Sequence, residues 1–127
     1  MTDLSEQLHE ERGALRPETI DRHRAIASLR EELEAIDWYD QRVDVAGDAE
    51  LREILAHNRD EEKEHASMVL EWLRRHDPVL NDMLKTYLFA DGPVLEIEEA
   101  GGENGGGEVS GDGSLGIGSL REAKSDE

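Results

Sequence analysis

Two long runs of hydrophobic residues spaced alternately by four and three, broken once at Ala46-Gly47-Asp48, constrain this chain to a helical hairpin. In the first run Ala25, Leu29, Glu32, Ile36, Tyr39 and Val43 fall on one stripe, and in the second Leu51, Leu55, Asn58, Glu62, His65, Val69 and Trp72 do the same. That rhythm places side chains on a single helix face. Glycine suits the end of one helix and aspartate the start of the next, so the break reads as a short turn between antiparallel neighbours. The first helix is predicted to open at Pro17, where a missing N–H costs nothing, and to run to about Val45. The second is predicted from about Ala49 to His76, ending in Arg74, Arg75 and His76, whose charge suits a C-terminus. Asp77-Pro78 then reads as the cap and first position of a third, shorter helix through about Phe89.

Both stripes carry residues that a core does not want. Glu62 and His65 are three apart and share a helix face, and Glu32 stands in the seam of the facing helix. A buried carboxylate without a partner costs several kcal/mol, roughly, so such groups shift their pKa, pair or bind a metal. Four-helix di-iron carboxylate proteins use one Glu from each of two helices and a Glu-x-x-His from each of the other two. This chain holds one of each, which implies a site completed by a second copy. Tyr39 lies seven residues past Glu32 on the same stripe. Its phenol either hydrogen-bonds a metal-bound carboxylate or packs as an ordinary aromatic core residue. The competing reading for Glu62 and His65 is a solvated face, because residues 60–65 are all charged or titratable.

On the flanks, Glu31 and Glu34 of the first helix and His57, Glu61 and Glu64 of the second follow stripes of their own. Rows of exposed carboxylates are common in acidic helices, yet packed against a second copy they would form a negative funnel toward the buried site. Trp38 and Trp72 read as packing residues, and His9, His23 and His76 have no inward partner in the pattern.

The 127 residues carry 32 acidic against 14 basic side chains, a net charge of −18, which argues against nucleic acid or an anionic membrane as partner. No cysteine is present, so disulfides and thiolate metal sites are excluded and oxygen and imidazole ligands remain. No long apolar run occurs, and the acidic start Met1-Thr2-Asp3-Leu4-Ser5-Glu6 is unlike a secretory signal; the expected compartment is the cytoplasm. A two-helix hairpin of this size has too little core by itself, for which oligomerisation is the ordinary remedy.

Residues 1–100 are read as one helical domain, with 1–15 polar and their order open. Residues 94–100 have the character of one or two helical turns. Residues 101–113 contain seven glycines, with Val109 the one large aliphatic, so 101–112 are predicted to be a flexible acidic linker. Apolar residues return in Gly113-Ser114-Leu115-Gly116-Ile117-Gly118-Ser119-Leu120-Arg121. Leu115 and Ile117 alternate as in an extended peptide presenting side chains to pockets, so 113–121 read as a tethered docking motif, followed by a disordered end at 122–127.

With those residues in hand the chain resembles the encapsulated ferritins, ferritin-like cargo of encapsulin nanocompartments. Residues 31–42, 57–66 and 70–75 resemble the signatures of that family's first two helices, and Thr86-Tyr87-Leu88-Phe89 the stretch after them. The segment 113–121 is similar to its encapsulin-targeting peptide. The resemblance implies an all-α hairpin that pairs between chains into a ferritin-like four-helix bundle, and a ferroxidase that oxidises Fe(II) with oxygen and passes Fe(III) to the interior of an encapsulin shell. It implies a two-iron site between two chains at Glu32, Glu62 and His65, with Tyr39 nearby. It assigns Glu31, Glu34, His57, Glu61 and Glu64 to secondary or entry sites, where calcium or zinc are candidate ions. It further implies an annular decamer built of dimers, docking through Leu115, Ile117 and Leu120. Two other readings stay open: a different di-metal carboxylate enzyme such as a rubrerythrin-like peroxidase, and a non-catalytic helical adaptor whose metal locks the oligomer.

Overall fold

The computed structural model describes the backbone of residues 7–108 and the side chains of residues 7–101. Among these residues there are four α-helices and no strand: α1 (Pro17–Val45), α2 (Ala49–Arg75), α3 (Pro78–Tyr87) and α4 (Val94–Glu108), preceded by a 3-10 turn at Arg12–Ala14. The docking motif with Leu115, Ile117 and Leu120, the end at 122–127 and residues 1–6 lie outside the described residues. The chain divides into two compact units, Met1–His76 and Asp77–Glu127. The division falls at a helix start, where Pro78 cannot continue α2, and not at residue 100.

The first unit is the hairpin. At 1.5 Å per residue α1 extends about 43 Å and α2 about 40 Å, so the two lie along one another for most of their length. Pro17 occupies the first turn of α1 with Glu18 beside it, and the helix closes with the Ala46 N–H donating to the Arg42 carbonyl at 2.9 Å. The turn between helices is held from both sides. Asp48 caps α2, its Oδ2 accepting from the Leu51 N–H at 2.9 Å, a contact of the kind that contributes about 1 kcal/mol. Arg52 reaches back from the first turn of α2, its Nε and Nη2 donating to the Ala46 carbonyl at 3.1 and 2.6 Å. That carbonyl belongs to the end of α1, where acceptors lack partners in the helix.

Inside the hairpin the grip is slight. Among the described residues Ile20, Ala27, Ala66 and Leu73 are buried, and two of these four are alanines. Small residues let helix backbones approach but bury little surface. Most stripe residues are half-buried, as the spacing predicts; Leu51 is an exception, exposed at the open end near the turn. Ile26, Leu33, Trp38, Ile54 and Met68 stay about half exposed, with Trp38 at 49 %. Trp38 was expected to pack; among the described residues it stays half uncovered. Trp72 does pack, its indole stacked on the His76 ring at 3.9 Å, while His76 Nδ1 lies 2.8 Å from the Trp72 carbonyl. His76 therefore has a partner, Trp72, four residues back on the continuation of the same stripe.

In the second unit Asp77 caps α3, Oδ1 accepting from the Leu80 N–H at 3.1 Å. The helix ends at Tyr87, two residues short of the predicted Phe89, because Phe89 turns into the left-handed region with φ of 62°. It takes the position after the C-cap that glycine usually fills, at a cost of about 1 kcal/mol for a side chain. Gly92, at φ of 96°, makes the next turn without that cost. α4 then runs from Val94 through Glu108, well past the one or two turns predicted. The first part of the stretch read as a linker, residues 101–108, is thus helical. Local propensity does not account for this: propagation contributes at most about 0.3 kcal/mol per residue in good helix formers, less than the roughly 1 kcal/mol that each glycine costs.

Candidate metal centre

Glu32 of α1 and Glu62 and His65 of α2 come together across the hairpin, each offering a ligand atom within 4.8 Å of the others. Local rules explain the α2 pair: residues three apart on an uninterrupted helix face the same way, and His65 Nδ1 lies 3.4 Å from Glu62 Oε1. Glu32 is brought in by the packing of α1 on α2, with its Oε1 3.8 Å from His65 Nδ1. Ala66, buried one turn beyond Glu62, keeps the helices close there. All three groups are partly covered, Glu32 and Glu62 at 25 % and His65 at 41 % exposure. They are sheltered enough to lose water and open enough to admit an ion.

The two carboxyls divide a proton. Glu32 is raised above the ordinary carboxylate range, first because its protonated form donates to Glu62, then by burial and by the nearby Glu62 charge; Glu31 adds to it and His65 opposes it. Glu62 is lowered, chiefly because it accepts that hydrogen bond, with His65 assisting against a burial effect of opposite sign. The consequences for stability oppose each other. The raised Glu32 favours the fold at low pH and loses that contribution as pH rises through its folded pKa. The lowered Glu62 favours it above the ordinary range and loses that as pH falls.

Two carboxylates and an imidazole, with no thiolate, suit a first-row divalent ion. A metal entering here competes with the proton for Glu32. Zn(II) affinity is therefore expected to rise with pH as competing protons leave the ligand atoms, by up to about tenfold per pH unit for each proton displaced. Calorimetry in buffers of different ionisation enthalpy counts the proton directly, and a flat profile with no proton released would contradict the shared-proton geometry.

Tyr39 stands about two turns beyond Glu32 and is half-buried, with the Arg42 guanidinium over its ring at 5.4 Å. Of the flank residues, His57 Nε2 lies 3.5 Å from Glu61 Oε2, both more than half exposed, and Glu31, Glu34 and Glu64 are exposed. Glu31 lies close enough for its charge to raise Glu32. Among the described residues these five form no group of three that could hold an ion. Among the described residues no helix is long and apolar enough to cross a membrane.

The sequence model of the EncFtn-like family matches residues 7–91. The chain is 57 % identical to the encapsulated ferritin-like protein of Rhodospirillum rubrum, over 95 % of its own length and 92 % of that protein's. It is 50 % identical to the ferritin-like protein of Thermotoga maritima, over 84 % and 96 %. It is 32 % identical to the encapsulin nanocompartment cargo protein EncC of Myxococcus xanthus, over 74 % and 79 %. The crystal structure of a Nitrosomonas europaea protein superposes with a TM-score of 0.67 at 59 % identity, covering 69 % of this chain and 97 % of that one. An all-α hairpin with two carboxylates and a histidine in its seam, matched along most of its length by these relatives, belongs to the EncFtn-like family.

Proposed function

We propose that the chain is a ferroxidase, oxidising Fe(II) with oxygen at a two-iron site shared by two copies and delivering Fe(III) for storage inside an encapsulin shell. The observation that carries this reading is the convergence of Glu32, Glu62 and His65 within 4.8 Å from two helices. Three ligands leave an ion of octahedral preference half satisfied. A second hairpin supplies another Glu32, Glu62 and His65, and with Glu62 shared between the irons the set serves two ions. The half-exposed Ile26, Leu33, Trp38, Ile54 and Met68 supply apolar surface for association, each contributing about 1 kcal/mol when covered.

Within the site Glu32 and Glu62 offer carboxylate oxygens to the entering Fe(II), whose charge competes with the proton that Glu32 binds more readily than an ordinary carboxylate. Each Fe(II) passes one electron to oxygen. Carboxylate ligands bind Fe(III) more strongly than Fe(II) and so favour that step. The exposed Glu31, Glu34, Glu61 and Glu64, with His57, line a negative approach that raises the local concentration of cations. The link to a shell rests on relatives whose names describe encapsulated or cargo proteins and on the apolar motif around Leu115, Ile117 and Leu120.

The test is an anaerobic Fe(II) titration followed by admission of air, reading the fast ferric absorbance per chain. A break near one iron per chain supports the shared site. Because the ligand group sits among half-exposed apolar residues, metal binding is linked to association, and a second reading is a metal that only clasps the oligomer. Binding at that ratio with no oxidation would favour the clasp.

A further inference from the structure

We propose that Arg59 is a positioning residue for the metal group, its ion pair with Asp40 locking α2 against α1 in the register that sets Glu62 and His65 opposite Glu32. Arg59 lies one turn before Glu62 on α2, and Asp40 about two turns past Glu32 on α1. Arg59 Nη1 donates to Asp40 Oδ1 at 2.9 Å, and its Nε donates to Asp60 Oδ1 at 3.2 Å. The side chain is 23 % exposed, well covered for an arginine on so charged a helix. The ion pairs Arg24–Asp21, Lys63–Asp60, Arg74–Glu71 and Arg75–Glu71 each stay within one helix or its own turn. Arg59–Asp40 crosses from α2 to α1.

The metal group needs such a lock. Glu32 and Glu62 repel when both are ionised, and the buried residues nearest them are the small Ala27 and Ala66, which resist sliding poorly. A slip of one residue moves a ligand by about 1.5 Å along the helix, far beyond the roughly 0.2 Å tolerance of a coordinate bond. A guanidinium held at two nitrogens by carboxylates on two helices opposes that slip with directional bonds. Its single positive charge also offsets one of the two aspartate charges beside a site that already holds two carboxylates.

This inference rests on the metal reading of Glu32, Glu62 and His65, and Co(II) binding to the full chain, followed by its visible absorption band, separates the two. In the wild type the band develops at saturation. Arg59→Ala and Asp40→Ala are each expected to weaken Co(II) binding about three- to tenfold and to alter the band, while the exchange of both charges (Arg59→Asp with Asp40→Arg) recovers most of both. A role confined to stability lowers the melting temperature and leaves affinity and band as they were. Unchanged affinity and band in Arg59→Ala overturn the proposal, as does an exchange that recovers nothing. A wild type that binds no Co(II) takes down the metal reading itself, and the positioning role with it.

Discussion

Glu62→Ala is expected to abolish rapid Fe(II) oxidation, with a loss on the order of a hundredfold or more in the initial rate of ferric absorbance. Glu62 touches both other members of the group, His65 directly and Glu32 through the shared proton, so its removal does more than delete one ligand. Without Glu62 as acceptor, Glu32 loses the main cause of its raised pKa. Across a pair of chains the change removes two carboxylates at once. Helix content should survive, because alanine is the best helix former and Glu62 is not part of the buried set. Circular dichroism therefore needs to match wild type while oxidation falls. Wild-type rates in this variant would end the two-iron reading, and Glu62→Gln, which keeps shape but not charge, tests whether the carboxylate itself matters.

Removing residues 113–127 is expected to leave Fe(II) oxidation per chain unchanged and to reduce co-assembly with an encapsulin shell to background. The site lies wholly on α1 and α2, some fifty residues before the deletion. The lost segment carries Leu115, Ile117 and Leu120, each able to contribute roughly 1.5–3 kcal/mol when buried in a pocket, which together is enough to decide whether a tethered peptide binds. Co-expression with the shell and gel filtration of the product provide the measure. The triple replacement of Leu115, Ile117 and Leu120 by Ala separates the side chains from mere tail length. Full loading of the truncated protein would refute the docking role and shift attention to the exposed apolar residues of the helices.

The two experiments divide the molecule into parts with different physical demands. The proposed metal site requires three ligands held to within tenths of an ångström, which long helices with capped ends and a braced turn suit. The proposed docking role requires only reach and three apolar anchors.

Much of the hairpin is local chemistry, and local chemistry is written in order along the chain. Pro17, Ala46-Gly47-Asp48 and Asp77-Pro78 mark helix ends through missing donors and side-chain caps, and the observed limits of α1, α2 and the start of α3 fall there. The shared face of Glu62 and His65 follows from three-residue spacing on any helix. What spacing cannot supply is the register between helices. The stripe sets Glu32 apart from Glu31 and Glu34, but only packing brought it opposite that pair, set Tyr39 under Arg42 and paired Arg59 with Asp40. Exposure is equally tertiary: Trp38 and Leu51 look alike to Trp72 and Leu55 by type, and only the fold leaves the first two uncovered. Phe89 stopped α3 early and α4 continued into glycines because backbone conformation at a helix end depends on small balances of about 1 kcal/mol, which residue types bias but do not determine. The sequence by itself determined the helices, their caps and the chemistry of the ligands. The tertiary structure decided which ligands meet, because that depends on contacts between residues thirty positions apart.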